Sequence, residues 1–143
     1  MLFRSMITQG QTTSFKAELY EGVHDLLTDD IFIALYDGNA NLTESTTVYT
    51  SDNEITGTGY TGGGQLLLDP SVNTFDTTAY VSFANASWPG ATFTCRCALI
   101  YNASQGNKSI AVLDFGSDKT VTNSTFTITF PPDTADSAII RTN

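Results

Sequence analysis

Ile31-Phe32-Ile33-Ala34-Leu35-Tyr36 is the longest apolar run in the chain. Side chains of a strand alternate between two faces, so a run that is apolar at every position predicts a central strand covered on both sides. It is far shorter than the roughly 18 apolar residues that a membrane helix needs. Downstream, apolar residues recur at every second position: Ala79-Val81-Phe83, then Phe93-Cys95-Cys97-Leu99-Tyr101, then Ile110-Val112 with Leu113 and Phe115 on the other face, then Phe126-Ile128-Phe130 against Thr125-Thr127-Thr129. Thr47 to Thr50 reads as a further short strand. Turn chemistry separates these segments at Asp37-Gly38-Asn39, Gly57 to Gly64, Asp69-Pro70, Pro89-Gly90, Gln105-Gly106-Asn107, Gly116-Ser117-Asp118 and Pro131-Pro132. The pattern predicts a mainly β chain, an antiparallel β-sandwich of jelly-roll type, with its best hairpin at 106–107.

Ahead of the strands lies one helical pattern. Phe15, Leu19, Val23 and Leu26 fall on one stripe at 3.6 residues per turn, which predicts a helix over 14–27 with Ser14 as N-cap. The helix is the obvious second cover for the strand at 31–36. Gly22 lies beside the stripe and is read as a point of close packing on the sheet, and His24 on the opposite side is expected to face solvent. Residues 1–13 read as an arm, leaving 14–143 as a single domain. The arm's Leu2, Phe3, Met6 and Ile7 have no place in that core and are expected to dock on a partner. Met6 is an alternative start, and the N-terminus lacks an apolar stretch of signal-peptide length. The tail Ser137-Ala138-Ile139-Ile140-Arg141 suits either an edge strand or a mobile end.

With 143 residues the chain is large enough to bury a core without disulfide or metal staples. Charged residues make up only 15% of it, against about 25% in average soluble proteins, so Ser, Thr, Asn and Gly supply much of the polar surface. The net charge of −9 sets a field against nucleic-acid phosphates, and no nucleic-acid partner is expected. Cys95 and Cys97 fall on one face of a strand, poor geometry for a mutual bridge, and read as small buried hydrophobes.

The constellations that carry chemistry elsewhere are out of context here. Gly57-Thr58-Gly59-Tyr60-Thr61-Gly62 matches G-x-G-x-x-G, but no helix pattern follows, so a flexible loop is expected rather than a dinucleotide turn. The single histidine, His24, has no G-x-S-x-G serine to activate. The acidic pairs Asp29-Asp30 and Asp52 with Glu54 read as solvated loops. Asp37-Gly38-Asn39-Ala40-Asn41 opens like a calcium loop but lacks its glycine and terminal glutamate in place, and reads as a β-turn. No catalytic residue, metal or cofactor is expected. Tyr60, Trp88 and Tyr101 are candidates for a sugar-binding surface, although a ring sealing the rim of the core fits Trp88 better.

Several stretches share phrasing with a known group: Met6-Ile7-Thr8-Gln9-Gly10-Gln11-Thr12-Thr13-Ser14-Phe15-Lys16-Ala17-Glu18-Leu19, Gly22-Val23-His24-Asp25-Leu26, Ile31 to Tyr36, Glu54-Ile55-Thr56-Gly57-Thr58-Gly59-Tyr60 and Ala98-Leu99-Ile100-Tyr101-Asn102. Together they resemble small structural proteins of tailed bacteriophages, including cyanophages and other short-tailed phages. The resemblance covers most of Met6 to Phe130 and implies a virion protein without an active site. It implies a short tail fibre at the portal or adaptor region, with capsid decoration as the competing position. The implied partners are copies of the chain itself, as a homotrimer, and other virion proteins such as portal, adaptor or capsid. A rival reading assigns the loops around Tyr60 and Trp88 to host-surface glycan, and the shortness of the apolar runs argues against a membrane partner.

Overall fold

The structure, a computed structural model, describes residues 6–130 and 138–142. Among the described residues the chain is mainly β, with two antiparallel main sheets, a short parallel strand pair and one α-helix. Strands β1 (Met6–Ile7) and β2 (Gly10–Gln11) precede helix α1 (Thr13–Tyr20). Then come β3 (Ile31–Tyr36), β4 (Asn41–Leu42), β5 (Gln65–Leu66), β6 (Ser71–Phe75), β7 (Thr78–Ser82), β8 (Ala86–Asn102), β9 (Lys108–Ile128) and β10 (Ile140–Thr142). A five-stranded sheet runs in the order β2-β9-β8-β3-β5, and a three-stranded sheet in the order β10-β7-β6 packs against one of its faces.

The strand at 31–36 is central, as its pattern requires, paired with β8 over its whole length and with β5 at Phe32 and Ile33. Ile31, Ile33 and Leu35 enter the sandwich core with Ile100, Phe83 and Ile140. Phe32, Ala34 and Tyr36 face the other way, with Leu99 and Tyr101. The cover on that second face is not the helix. It is the connection after β3, which brings Ala40, Leu42 and Tyr49 over the sheet. There β4 pairs in parallel with β1, so Ile7 also packs into this layer.

Helix α1 is shorter than its stripe, and its N-cap lies two residues earlier than expected. Thr12, not Ser14, is the N-cap: its side chain accepts from Phe15 N at 3.3 Å. Gly22 ends the helix instead of packing within it. At φ +72 it sits one residue past the C-cap Glu21, where Gly22 N donates to Leu19 O and Val23 N to Glu18 O. This paired closure favours glycine because other residues resist a left-handed backbone. The stripe therefore breaks after Leu19. Phe15 is fully buried and Leu26 nearly so, while Leu19 is 37% exposed, and α1 lies against β9 rather than across β3.

The expected arm is part of the domain from Met6 onward. Besides the β1–β4 pair, Gly10 and Gln11 pair with Val112 and Ala111 of β9. Ile7 is half-buried and Met6 is exposed; Leu2 and Phe3 lie outside the described residues. At the other end the tail forms an edge strand, with Ile140, Arg141 and Thr142 opposite Val81, Tyr80 and Ala79.

β8 and β9 are far longer than the separate strands expected, and exceed the usual 3–10 residues. The hairpin between them falls at 106–107, where Gly106 and Asn107 both have positive φ. The turns expected at Pro89-Gly90 and Gly116-Ser117-Asp118 do not form. Around 89–90 the ladder shifts register between Trp88 and Ala91, and Gly116 lies within β9, so the strands continue through both positions. Such bulges bend a long ribbon without ending it.

Candidate functional site

The densest polar cluster gathers on Glu54. An isolated bridge between Tyr36 and Glu54 lays residues 53–55 along β3, with Ile55 N donating to Leu35 O at 3.0 Å. The Glu54 carboxylate then accepts three hydrogen bonds: from the Tyr49 hydroxyl at 2.5 Å, the Tyr60 hydroxyl at 2.5 Å and Gly63 N at 2.7 Å. The Tyr60 oxygen in turn accepts from Leu35 N at 3.0 Å, and the Tyr101 hydroxyl donates to Gly63 O at 2.6 Å. Tyr49 stacks on Tyr101, with ring centroids 4.7 Å apart. The acid read as part of a solvated loop is thus half-buried and binds residues 49–63 to β3, whereas Asp52 is exposed.

Burial, then the neighbouring Glu54 carboxylate, holds the Tyr36, Tyr49 and Tyr60 hydroxyls far above their ordinary titration range, and Tyr101 is pushed up to about 12. Each of these hydroxyls donates a hydrogen bond: Tyr36 to Thr50 O, Tyr49 and Tyr60 to Glu54, and Tyr101 to Gly63 O.

The second cluster centres on His24, which the helical pattern placed toward solvent. Its side chain is fully covered. Once Gly22 has ended the helix, the chain turns the ring inward, 5.0 Å from the Phe15 ring. Asn102, also fully buried, orients it. The Asn102 oxygen accepts from Ser104 N at 3.0 Å, and its amide nitrogen donates to Asp29 Oδ2 at 2.8 Å, which together fix the amide's direction. The same amide nitrogen lies 3.0 Å from His24 Nδ1, which must therefore accept, so the ring proton sits on Nε2, 2.9 Å from Glu18 Oε1. The Asn102 hydrogen bond, followed by that from Asp25 N, lowers the Asp29 pKa below its ordinary value. We expect His24→Ala to cost about 1–3 kcal/mol by stranding these partners, and Leu19→Ala less than about 1 kcal/mol because Leu19 is partly in water. Urea melts of the two variants check the order, which is the reverse of that implied by the uninterrupted helical stripe.

The remaining candidates are accounted for as structure. Trp88, expected near the rim, is only 4% exposed and packs on Phe126 with ring centroids 5.9 Å apart, so it presents no recognition surface. Tyr60 is half-buried, edge-on to Phe93, with its hydroxyl committed to Glu54. The glycine-rich segment is pinned rather than loose: Thr58 bridges Thr92, and a Cβ on Gly57 would lie 2.6 Å from Thr92 O. The element that follows it is strand β5, not a helix. Asp37 Oδ1 accepts from Asn39 N at 2.8 Å, closing a turn. Cys95 and Cys97 are buried free thiols, each pushed up to about 12 chiefly by burial. They do not share a face, because a register shift between them sends Cys95 to the sandwich core and Cys97 to the opposite layer.

Among the described residues no group of three or more His, Cys, Asp and Glu is placed to hold a metal ion. Both polar clusters join segments distant in sequence, and their hydrogen-bonding atoms face one another. Comparison with protein-family models, with curated proteins and with solved structures finds no match to this chain.

Proposed function

We propose that this chain is a structural protein of a tailed-phage virion, a homo-oligomeric short tail fibre held at the portal or adaptor region. The observation that carries the structural role is the use made of its chemistry. The single histidine and the carboxylate Glu54 tie distant segments of the fold together; His24 borders the groove beside the helix, but both its ring nitrogens are committed to Glu18 and Asn102. Buried networks of this kind favour one rigid arrangement, a property that suits a repetitive assembly unit. The virion itself is supported by the resemblance of the sequence to small phage structural proteins. A second position, capsid decoration, is compatible with the same rigid domain.

A reconstruction of particles carrying the chain, with mass spectrometry of the purified particles, tests this reading. Density at the collar is the expected result, and density at capsid threefold or quasi-threefold positions selects decoration. Absence of the chain from purified particles would overturn the virion role.

A further inference from the structure

The three-stranded sheet carries a hairpin tipped by an exposed phenylalanine and borders an apolar groove. The groove, of about 470 Å³, lies between this sheet and α1 with its following turn. Leu19, Leu27 and Val72 line it and are 37%, 53% and 50% exposed. It runs on past Leu19 into a second hollow lined by Lys16 and Arg141. At the turn of the β6–β7 hairpin stands Phe75, 69% exposed, followed by the exposed Asp76 at φ +55. One molecule therefore carries both an apolar projection ending in an acid and an apolar groove ending in basic residues.

We propose that the groove receives the Phe75-Asp76 turn of a second copy of this chain. Phe75 lies on Leu19, Leu27 and Val72, and Asp76 beside Lys16 and Arg141. Charge argues for this occupant. On a chain of net charge −9 most surfaces repel a second copy, and the Lys16 and Arg141 end is where an acidic turn is attracted. Asp25 also lines the groove, its carboxylate accepting from Leu27 N at 3.1 Å, and an acid seated beside it would be repelled, which favours placing Asp76 by Lys16. The strands of the projection add no repulsion, since Ser71–Phe75 and Thr78–Ser82 are uncharged. A contact between two different patches of one chain closes into a ring when its rotation permits. The inference deepens the assembly reading, resting on it for self-association but not for any position in a particle.

Sedimentation velocity of the full chain over a concentration series tests it. The wild type is expected to self-associate, and Phe75→Ser or Leu27→Ser to weaken association at least about tenfold with thermal melting of the subunit retained. Asp76→Asn should weaken it as well. Asp76→Lys and Lys16→Glu should each weaken it further, the pair together should restore it, and these charge effects should shrink at high salt. A wild type that stays monomeric throughout, or association indifferent to Phe75→Ser and Leu27→Ser in folded protein, overturns the proposal. So does a monomer whose groove instead takes up an apolar dye in a manner lost in Leu27→Ser. Incorporation of a monomeric chain into particles would sink this contact alone. Oligomers that obey the variants yet never enter particles would sink the virion reading alone.

Discussion

Gly64→Ala is expected to destabilise the fold by about 4–5 kcal/mol, at the upper end of what single substitutions do. Gly64 stands at φ +83 immediately before β5, and a Cβ there would lie 1.8 Å from Ile33 O and 2.8 Å from Ala34 Cα. Those atoms belong to the backbone of the central strand, so no side chain can swing aside to make room. Relief requires β5 to move off β3, breaking the Phe32–Leu66 and Ile33–Gln65 pairing and lifting Leu67, whose N donates to Ile31 O at 2.7 Å. The left-handed backbone adds its own cost for alanine, about 1–2 kcal/mol. Gly62→Ala is the control: its Cβ would meet nothing within 4 Å, and its change should stay within about 1 kcal/mol. Thermal melts of the two variants should differ by more than about 10 °C. Equal melting temperatures would mean that the chain around Gly64 does not pass this close to β3.

Glu54→Ala should cost about 3–4 kcal/mol, through hydrogen-bonding capacity rather than volume. It leaves the Tyr49 hydroxyl, the Tyr60 hydroxyl and Gly63 N without their common acceptor, and each buried donor left unmet costs about 1–3 kcal/mol, toward the lower end where water can enter. Tyr49→Phe and Tyr60→Phe each remove one donor and should cost less, Tyr60→Phe the more because Leu35 N also depends on that oxygen. Double-mutant cycles between Glu54→Ala and either tyrosine variant should show coupling of about 1 kcal/mol or more, as expected of groups in one network. Additive effects measured by urea unfolding would mean that the carboxylate and the phenols act independently.

The mainly β class was legible because it rests on local periodicity. Ile31 to Tyr36 had to be a doubly covered strand, the alternating segments had to pair, and 106–107 had to turn. The burial of Cys95 and Cys97 was legible too, though the face of each was not, since a bulge has no dependable signature in side-chain alternation. In the helix two local signals conflict. Phe15, Leu19, Val23 and Leu26 make a clean stripe on paper, but a glycine directly after the last turn ends a helix more readily than it packs within one. Moving the end from 27 to Tyr20 turned His24 from surface to interior and left Leu19 half in water.

By itself the sequence determined which residues can pair as strands and which must leave water, because backbone geometry and the hydrophobic effect act on neighbours along the chain. Only the tertiary structure decided what covers the second face of β3, that Met6 to Gln11 join the domain's sheets, and that Glu54 and Asn102 collect partners from distant segments. Those outcomes depend on which unmet donors and acceptors arrive together once the strands are registered. The distance from Tyr49 to Tyr101, or from His24 to Asn102, is set by the register of β8 against β3 and the closure of the loops around it, and no local pattern encodes it.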